Sequence, residues 1–268
     1  MPQVSRFSIA PVRSLALEHP TEIDLTEVGV VEDRRFFLID DTGRFIDRTV
    51  IGELVQVAAH TDPAATMLRL ACPDGSVVED EVRLGAPVEI AIHGRTGVGH
   101  IVVGPWAEPL SAMFGRGLQV VRCDRPGGTR RGNATSLVSD GSLAELARHV
   151  GRAAVDARRF RMLIELTGAE AHEEDTWIGR RIAVGDAILR VTLQDARCAI
   201  TTQDPDTGKR DLYTLRTLIA YRGLREGKHA DFGVLADVVQ PGRVRLGDEV
   251  TVLDPAPPDP AAAATAAD

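Results

Sequence analysis

Three turn motifs divide the first part of the chain into short apolar segments, which limits what it can fold into. The motifs are Asp41-Thr42-Gly43, Pro73-Asp74-Gly75 and His93-Gly94-Arg95-Thr96. Because glycine, aspartate and proline favour tight reversals of the backbone, each motif predicts a β-hairpin. The predicted strand pairs are 36–40 with 44–48, 67–72 with 76–79, and 87–92 with 97–103. Short strands at this spacing are typical of a β-barrel or β-sandwich domain.

Helical periodicity is present in three segments, Pro109–Phe114, Ser139–Val150 and Thr214–Arg222. The second is the clearest, because its apolar residues recur at helical spacing and lie on one face. Within it, Ser142-Leu143-Ala144-Glu145 fits a capping box, and Gly151 fits the residue that ends the helix. We therefore predict three helices between strand-rich regions.

Two similar segments, 182–189 and 244–250, are apolar runs interrupted by Gly-Asp. They predict two similar turns in one β-barrel. With the hairpins and helices, they indicate a β-rich α+β fold. We expect a first domain over residues 1–105 and a second over 106–254. The Pro/Ala-rich segment 255–268 has no core pattern, and we expect it to be a disordered tail.

Cysteine usage and charge argue against several classes of protein. Three cysteines form an odd, sparse set, which argues against a disulfide framework and favours a reducing cytoplasm. A formal net charge of -8 argues against a general nucleic-acid binder, because phosphate would be repelled. No apolar run approaches the roughly 18 residues of a membrane helix, and no signal-peptide core is present. We therefore expect a cytoplasmic protein that binds neither nucleic acid nor membranes.

Cys198 is the cysteine whose surroundings point to chemistry. It follows Arg197 and precedes a β-branched run that leads into the turn Asp204-Pro205-Asp206-Thr207-Gly208. A lone cysteine is most often a buried apolar side chain, but a thiol can also be a soft metal ligand, a sulfur carrier or a nucleophile. The sequence has no Cys-x-x-Cys zinc spacing, Gly-x-Ser-x-Gly elbow, Walker loop or Rossmann fingerprint. The residue types alone therefore leave four roles open for Cys198: a buried apolar side chain, a metal ligand, a sulfur carrier and a nucleophile.

Basic residues form three clusters that could each bind an anion: Arg13-Ser14 with Arg34-Arg35, the glycine- and arginine-rich loop 124–133, and Arg159 with Arg161. Strand periodicity would place Arg159 and Arg161 on one face. Exposed backbone N–H groups of the loop before the predicted strand at Thr135 suit an anion. Each cluster alone is also explained by solvated surface charge. Together with one soft thiol, they suit a cofactor with a phosphate at one end and a sulfur- or metal-bearing group at the other.

The order of these segments resembles the MOSC family in its two-domain form. The resemblance is carried by Pro11-Val12-Arg13-Ser14, Asp33-Arg34-Arg35-Phe36, Ser139 to Leu146, Arg159-Phe160-Arg161, Glu174-Asp175-Thr176-Trp177, Arg197-Cys198, Thr201-Thr202, Asp204 to Gly208, Thr217-Leu218, Tyr221-Arg222 and Gly247-Asp248. It implies an N-terminal MOSC β-barrel-like domain over 1–105. It also implies a MOSC β-barrel domain with a few flanking helices over 106–254. The motifs are most similar to those of the amidoxime-reducing branch of the family.

In that family the cysteine that matches Cys198 ligates molybdenum in a molybdopterin cofactor, for which a thiolate is a suitable soft donor. The resemblance assigns the remaining cofactor contacts to Arg13, Ser14, Arg34, Asn133, Thr135, Arg161, Ala196 and Arg197. It implies an oxidoreductase that reduces N-hydroxylated or N-oxide-type small molecules. Because the sequence has no flavin, haem or iron–sulfur pattern, a separate flavin or iron–sulfur reductase would donate the electrons.

The chain differs from the family's sequence motif at Met162-Leu163, where relatives carry Pro-Asn. A polar contact to the pterin is therefore missing at Leu163. Two alternatives to the reductase follow from the same resemblance: a sulfur carrier or transferase with a Cys198 persulfide, and a non-catalytic module that binds the molybdenum cofactor. A lyase or biosynthetic role on the same scaffold also stays open, because fold does not fix function.

Overall fold

Strands dominate the computed structural model, which describes residues 1–130 and 133–254. In chain order the strands are β1 Gln3–Phe7, β2 Glu22–Leu25, β3 Phe36–Asp40, β4 Phe45–Ile46, β5 Ala58–Thr61, β6 Met67–Ala71, β7 Val77–Glu81, β8 Arg83–Ile92, β9 Arg95–Val103, β10 Leu118–Cys123, β11 Thr135–Ser139, β12 Ile164–Thr167, β13 Arg181–Val184, β14 Ala187–Arg197, β15 Ala230–Gln240, β16 Gly242–Arg245 and β17 Val250–Val252. The helices are α1 Ala107–Phe114, α2 Asp140–Val150 and α3 Thr214–Arg222. The fold is β-rich α+β, as predicted.

The largest sheet is a nearly closed barrel with the strand order β1-β12-β11-β15-β14-β13-β17. Its two edge strands approach each other, since the Val4 amide donates to the Asp248 carbonyl at 2.9 Å and the Val250 amide to the Pro2 carbonyl at 2.8 Å. The interior is a continuous apolar cluster that includes Phe7 of β1. Pairing the sheet edges in this way leaves few exposed backbone groups on the barrel.

The three predicted hairpins are confirmed. β3 pairs with β4, β6 with β7, and β8 with β9, all antiparallel. They belong to two smaller sheets, ordered β4-β3-β10-β9-β8 and β5-β6-β7, which enclose a second apolar cluster around Phe36, Leu38 and Trp106. The turn residues in the sequence therefore predicted these strand pairings correctly.

Strand pairing crosses residue 105 in both directions. β10, which follows that residue, pairs with β3 and β9, while β1, near the N-terminus, pairs with β12. The division of the chain into 1–105 and 106–254 remains a prediction. The predicted disordered tail 255–268 lies outside the described residues, as do residues 131 and 132 of the predicted basic loop.

All three predicted helices are present, but the cap of α2 differs from the prediction. Ser139 is the N-cap, and its hydroxyl accepts a hydrogen bond from the Ser142 amide at 3.1 Å. The predicted capping box at Ser142 is wrong because the chain is already helical there, whereas Ser139 is extended at the end of β11. Gly151 ends the helix in the left-handed conformation, as predicted. Among the described residues, no helix is long and apolar enough to cross a membrane.

The two Gly-Asp motifs are not equivalent. Gly185-Asp186 forms the hairpin between β13 and β14 of the barrel. Gly247-Asp248 instead connects β16, which pairs with β2 in a separate ribbon, to β17, which pairs with β13. The prediction of two similar turns in one barrel is therefore wrong for the second motif, because the strands before and after it belong to different sheets.

Candidate functional site

A cavity of about 200 Å³ lies where the end of β14 meets the start of β11 and the segments after β1 and β4. It is lined by all nine site residues that the family resemblance assigned: Arg13, Ser14, Arg34, Asn133, Thr135, Arg161, Ala196, Arg197 and Cys198. The lining also contains Arg130 and Arg159, which belong to two of the basic clusters of the sequence. The sequence reasoning did not select four further lining residues, Asp33, Asp47, Arg48 and Asp195. Among the described residues the lining has seven arginines and three aspartates, so the cavity is strongly cationic.

Cys198 lies directly after β14, at the start of a short 3₁₀ turn over Ala199–Thr202. Its side chain is exposed, so it is not a buried core residue. Its carbonyl oxygen accepts hydrogen bonds from the Thr201 amide at 3.2 Å and the Thr201 hydroxyl at 3.0 Å, which fix the backbone below the thiol. Cys123, by contrast, is buried, and burial raises the pKa of its thiol to about 12. Of the two, Cys198 is the thiol placed for chemistry.

Three residues around the cavity have left-handed backbone conformations that side chains normally avoid. Ser14 has φ 75°, Arg34 φ 56° and Arg161 φ 53°. The prediction that Arg159 and Arg161 share a strand face is wrong, because Arg159 ends a 3₁₀ turn and β12 begins only at Ile164. Backbone strain of this kind is concentrated at functional sites in proteins. Here it directs two arginines towards one cavity.

Asp33 anchors the cationic wall. Its carboxylate is 1% exposed and accepts hydrogen bonds from the Ala10 amide at 2.8 Å, from Arg34 and, at 3.3 Å, from the Arg130 Nε. Burial alone would raise the pKa of Asp33, but the guanidiniums of Arg34 and Arg130 hold it below its ordinary value. The carboxylate therefore stays charged and positions both arginines.

Arg48 is a buried arginine at the cavity that no motif in the sequence marked. It is 2% exposed, and its Nε donates to Gln203 Oε1 at 3.1 Å while Gln203 Nε2 donates to the Arg48 carbonyl at 2.8 Å. Neither Nη atom has a hydrogen-bond partner within residues 1–130 and 133–254. Burial lowers the pKa of Arg48 to about 10. Unpartnered buried donors of this kind are rare and favour an anionic ligand.

Other polar groups of the lining also favour an anionic ligand. Thr135 Oγ1, Arg159 Nε and Arg197 Nε are buried without a partner in the described part of the chain. Burial, followed by repulsion from Arg48 and Arg34, lowers the pKa of Arg161 well below its ordinary value. Asn133 is committed to other contacts, because its amide nitrogen donates to Thr192 Oγ1 at 2.9 Å and to Asp237 Oδ1 at 3.0 Å. A ligand with negative charge would relieve these electrostatic costs.

The residues that the sequence reasoning missed left different signals. Asp33 belongs to the segment Asp33-Arg34-Arg35-Phe36, and Arg130 belongs to the basic loop 124–133. No motif indicated that they pair, because they lie 97 residues apart. Arg48 lay at the end of a predicted strand with no accompanying motif. Arg48 is identified by its burial and by its unpartnered nitrogens, and both are properties of the folded chain.

Two family models cover most of the chain. The MOSC N-terminal beta barrel domain matches residues 1–95, and the MOSC domain matches residues 119–251. The chain belongs to the MOSC family. The resemblance that the sequence motifs indicated is therefore confirmed.

This MOSC protein is similar to curated mammalian proteins over part of its length. It is 35% identical over 124 residues to mitochondrial amidoxime-reducing component 1 of Mus musculus, a match that covers 44% of this chain and 36% of that protein. It is 36% identical over 122 residues to mitochondrial amidoxime reducing component 2 of Rattus norvegicus, a match that covers 42% of this chain and 35% of that protein. The MOSC protein thus matches little more than a third of these relatives' length.

Among solved structures, the YUAD protein from Bacillus subtilis aligns with this MOSC protein with a TM-score of 0.45 at 16% sequence identity. The alignment covers 93% of this chain and 94% of that chain.

Proposed function

We propose that this MOSC protein binds a molybdenum–molybdopterin cofactor and reduces N-hydroxylated or N-oxide-type substrates with electrons from a separate donor protein. Family membership and the similarity to amidoxime-reducing components support a reductase-type role related to the molybdenum cofactor. The observation that carries the proposal is the exposed thiol of Cys198 at a cavity whose described lining includes seven arginines.

The lining residues fit such a cofactor chemically. A guanidinium binds phosphate through charge-assisted hydrogen bonds, and seven arginines are among the described residues of the lining. A thiolate suits a soft, redox-active metal, and Cys198 is exposed. No group of three or more His, Cys, Asp or Glu side chains in the described ranges could hold a metal ion by itself. Cys198 would therefore be a single protein ligand, and the pterin sulfurs would add others.

The cofactor, when bound, would supply the two-electron reduction, and the protein would supply position and electrostatics. Cys198 would hold the metal at the open side of the cavity. The contacts to the pterin and its phosphate would come from Arg13, Ser14, Arg34, Asn133, Thr135 and Arg161, with Ala196 and Arg197 approaching through their backbone. Because the left-handed conformations of three of these residues exist before binding, the site pays little ordering entropy when the ligand arrives.

Met162-Leu163, where relatives carry Pro-Asn, changes the cavity lining but leaves its arginines in place. Both side chains are buried, and Leu163 packs in the barrel core while also lining the cavity. The Leu163 amide donates to the Ser136 hydroxyl at 3.0 Å, so the backbone there has a partner. The proposed pterin contacts therefore depend on the arginines rather than on a polar side chain at position 163.

The proposal includes a separate electron donor, a flavin or iron–sulfur reductase, and a cytoplasmic location. A small-molecule substrate would enter at the exposed side of Cys198. The sparse cysteines of the sequence support the reducing compartment.

The test is metal, pterin and activity analysis of the protein made in a host that synthesises the cofactor. We expect equimolar molybdenum and pterin, and reduction of amidoximes, hydroxylamines or N-oxides when a reduced dye supplies electrons. The Cys198→Ala variant should lose the metal and the activity. Cys72→Ala is the matched control, because Cys72 is half-buried in the other apolar cluster and should change neither.

Two outcomes would contradict the reductase. Full activity in Cys198→Ala would remove the metal-ligand role. Bound cofactor without turnover across the substrate panel would favour a non-catalytic binding module.

The exposure of Cys198 also favours a second candidate, a sulfur carrier or transferase. A thiol at the surface can be reached by a donor protein, which a buried one cannot. Intact-protein mass spectrometry after incubation with a cysteine desulfurase and cysteine distinguishes the two functions. A mass increase of one sulfur atom that Cys198→Ala abolishes would support the carrier, and an unchanged mass would exclude it.

A further inference from the structure

A second cavity, of about 80 Å³, adjoins the first and shares Arg48 and Arg161 with it. Its other lining residues include His19, Arg158 and Asp206, none of which lines the first cavity. The two shared arginines therefore form a wall with a cavity on each side. No family motif quoted from the sequence includes His19 or Arg158.

Arg48 is the buried group that points to a ligand. It is 98% buried, and both Nη atoms lack a hydrogen-bond partner among the residues that the structure describes. The reciprocal bonds with Gln203, at 3.1 and 2.8 Å, hold the side chain in the wall. A guanidinium fixed in this way cannot turn to bulk water, so its free donors require an acceptor.

The charges around this second cavity favour an anion. Arg161 donates to the Leu15 carbonyl at 2.8 Å, and burial, followed by repulsion from Arg48, lowers its pKa. Asp206 is the one acid in the described lining. It is 66% exposed and paired with Arg158 through contacts of 2.7 and 3.0 Å. Arg158 also donates to Asp156, at 2.9 Å from Nε and 2.6 Å from Nη2, so two carboxylates hold it. The buried Arg48 and the half-buried Arg161 therefore line the cavity, and its described lining contains no buried carboxylate.

We propose that this second cavity binds a small oxyanion of the class of inorganic phosphate or sulfate. Its volume of about 80 Å³ has room for a few water molecules or one tetrahedral ion, and excludes a nucleotide. Guanidinium groups match the oxygen spacing of such an ion and bind it with charge-assisted hydrogen bonds. Arg48 would bind the ion from the wall through its unpartnered Nη atoms, and the positive charges of Arg161 and Arg158 would attract it.

Isothermal titration of the cofactor-loaded, full-length protein with inorganic phosphate tests the site. We expect binding of one ion per chain, weakened about two- to fivefold in Arg158→Gln by the loss of a positive charge beside the cavity. Asp206→Asn should tighten binding about two- to fivefold, because it removes a repulsive carboxylate. Arg148→Gln, which changes an exposed arginine on α2, is the matched control and should bind phosphate like the wild type.

The opposite signs of the two variants make the test specific. Phosphate affinity that is unchanged in both Arg158→Gln and Asp206→Asn would overturn the site. Loss of phosphate binding on cofactor loading would also overturn it, because the ion would then occupy the first cavity. If Arg158→Gln lowers the melting temperature, the exposed Asp206→Asn variant still decides. Since binding is measured without turnover, the outcome is independent of whether the protein is a reductase.

Discussion

Asp33 is a single buried carboxylate that joins three distant parts of the chain. It bonds to the Ala10 amide, to its neighbour Arg34 and to Arg130, which lies 97 residues further along. Arg130 in turn donates to the Ala134 carbonyl at 3.2 Å, next to the start of β11. One charged residue thereby attaches the connection after β1 to the basic loop beside the cavity.

Asp33→Asn should lower the free energy of unfolding by about 3–5 kcal/mol, because Arg34 and Arg130 lose their shared buried partner. Urea unfolding at neutral pH measures this change. Because the pKa of Asp33 is lowered in the folded state, its stabilising effect exists above the ordinary carboxyl pKa and disappears as pH falls through the lowered value. The difference from the wild type should therefore shrink in acid.

Asp41→Asn is the control for that measurement, since Asp41 is exposed in the turn of the first hairpin. A change of less than about 0.5 kcal/mol is expected for it. Equal losses in the two variants would contradict the role given to Asp33.

Helix α2 shows how single elements are delimited by local chemistry. The Ser139 hydroxyl caps its first turn, and Gly151 ends it at φ 68°. A Cβ at position 151 would meet no atom within 4 Å, so the glycine is required by backbone conformation and not by space. The helix lies on the outside of the barrel, where Leu146 packs with Phe160 and Phe232.

Gly151→Ala should destabilise the protein by about 1–2 kcal/mol, the cost of a left-handed alanine. Gly151→Asn should cost less, since asparagine tolerates this conformation better. Thermal or urea unfolding of the two variants measures the order. Equal stability of wild type and Gly151→Ala would show that the helix can end elsewhere without cost.

The two halves of the molecule exchange strands, so neither half of the sequence contains the whole barrel sheet or the whole five-stranded sheet. β1 contributes Val4 and Phe7 to the barrel core, and β10 lies between β3 and β9. The cavity lies at the junction, with Arg13, Arg34 and Arg48 from the first half and Cys198 from the second. The candidate site therefore needs both halves.

A chain consisting of residues 106–254 alone should fail to fold cooperatively. Without β1 it would expose the edge of β12 and part of the barrel core. We expect binding of a hydrophobic dye and loss of a sharp urea transition, with the chain of residues 1–268 as the control. A cooperative transition in this fragment, with native-like circular dichroism, would contradict the exchange of strands as a requirement for folding.

Local patterns in the sequence predicted much of the fold correctly. Turn residues located three hairpins, and apolar periodicity located three helices, because both depend on neighbours within a few positions. The same reasoning failed where the outcome depends on distant partners. Gly247-Asp248 connects two different sheets, and Arg161 leaves the predicted strand in a left-handed conformation.

The sequence by itself determined the β-rich composition of the fold, the family and the nine residues that motif resemblance selected. Only the tertiary structure decided that these residues line one cavity, and that Arg48 lies buried between two cavities. The contact that holds Arg48 joins it to Gln203, 155 residues away. Hydrophobic periodicity and turn chemistry carry no information about such pairs, because burial and long-range charge pairing exist only once the strands of both halves are assembled.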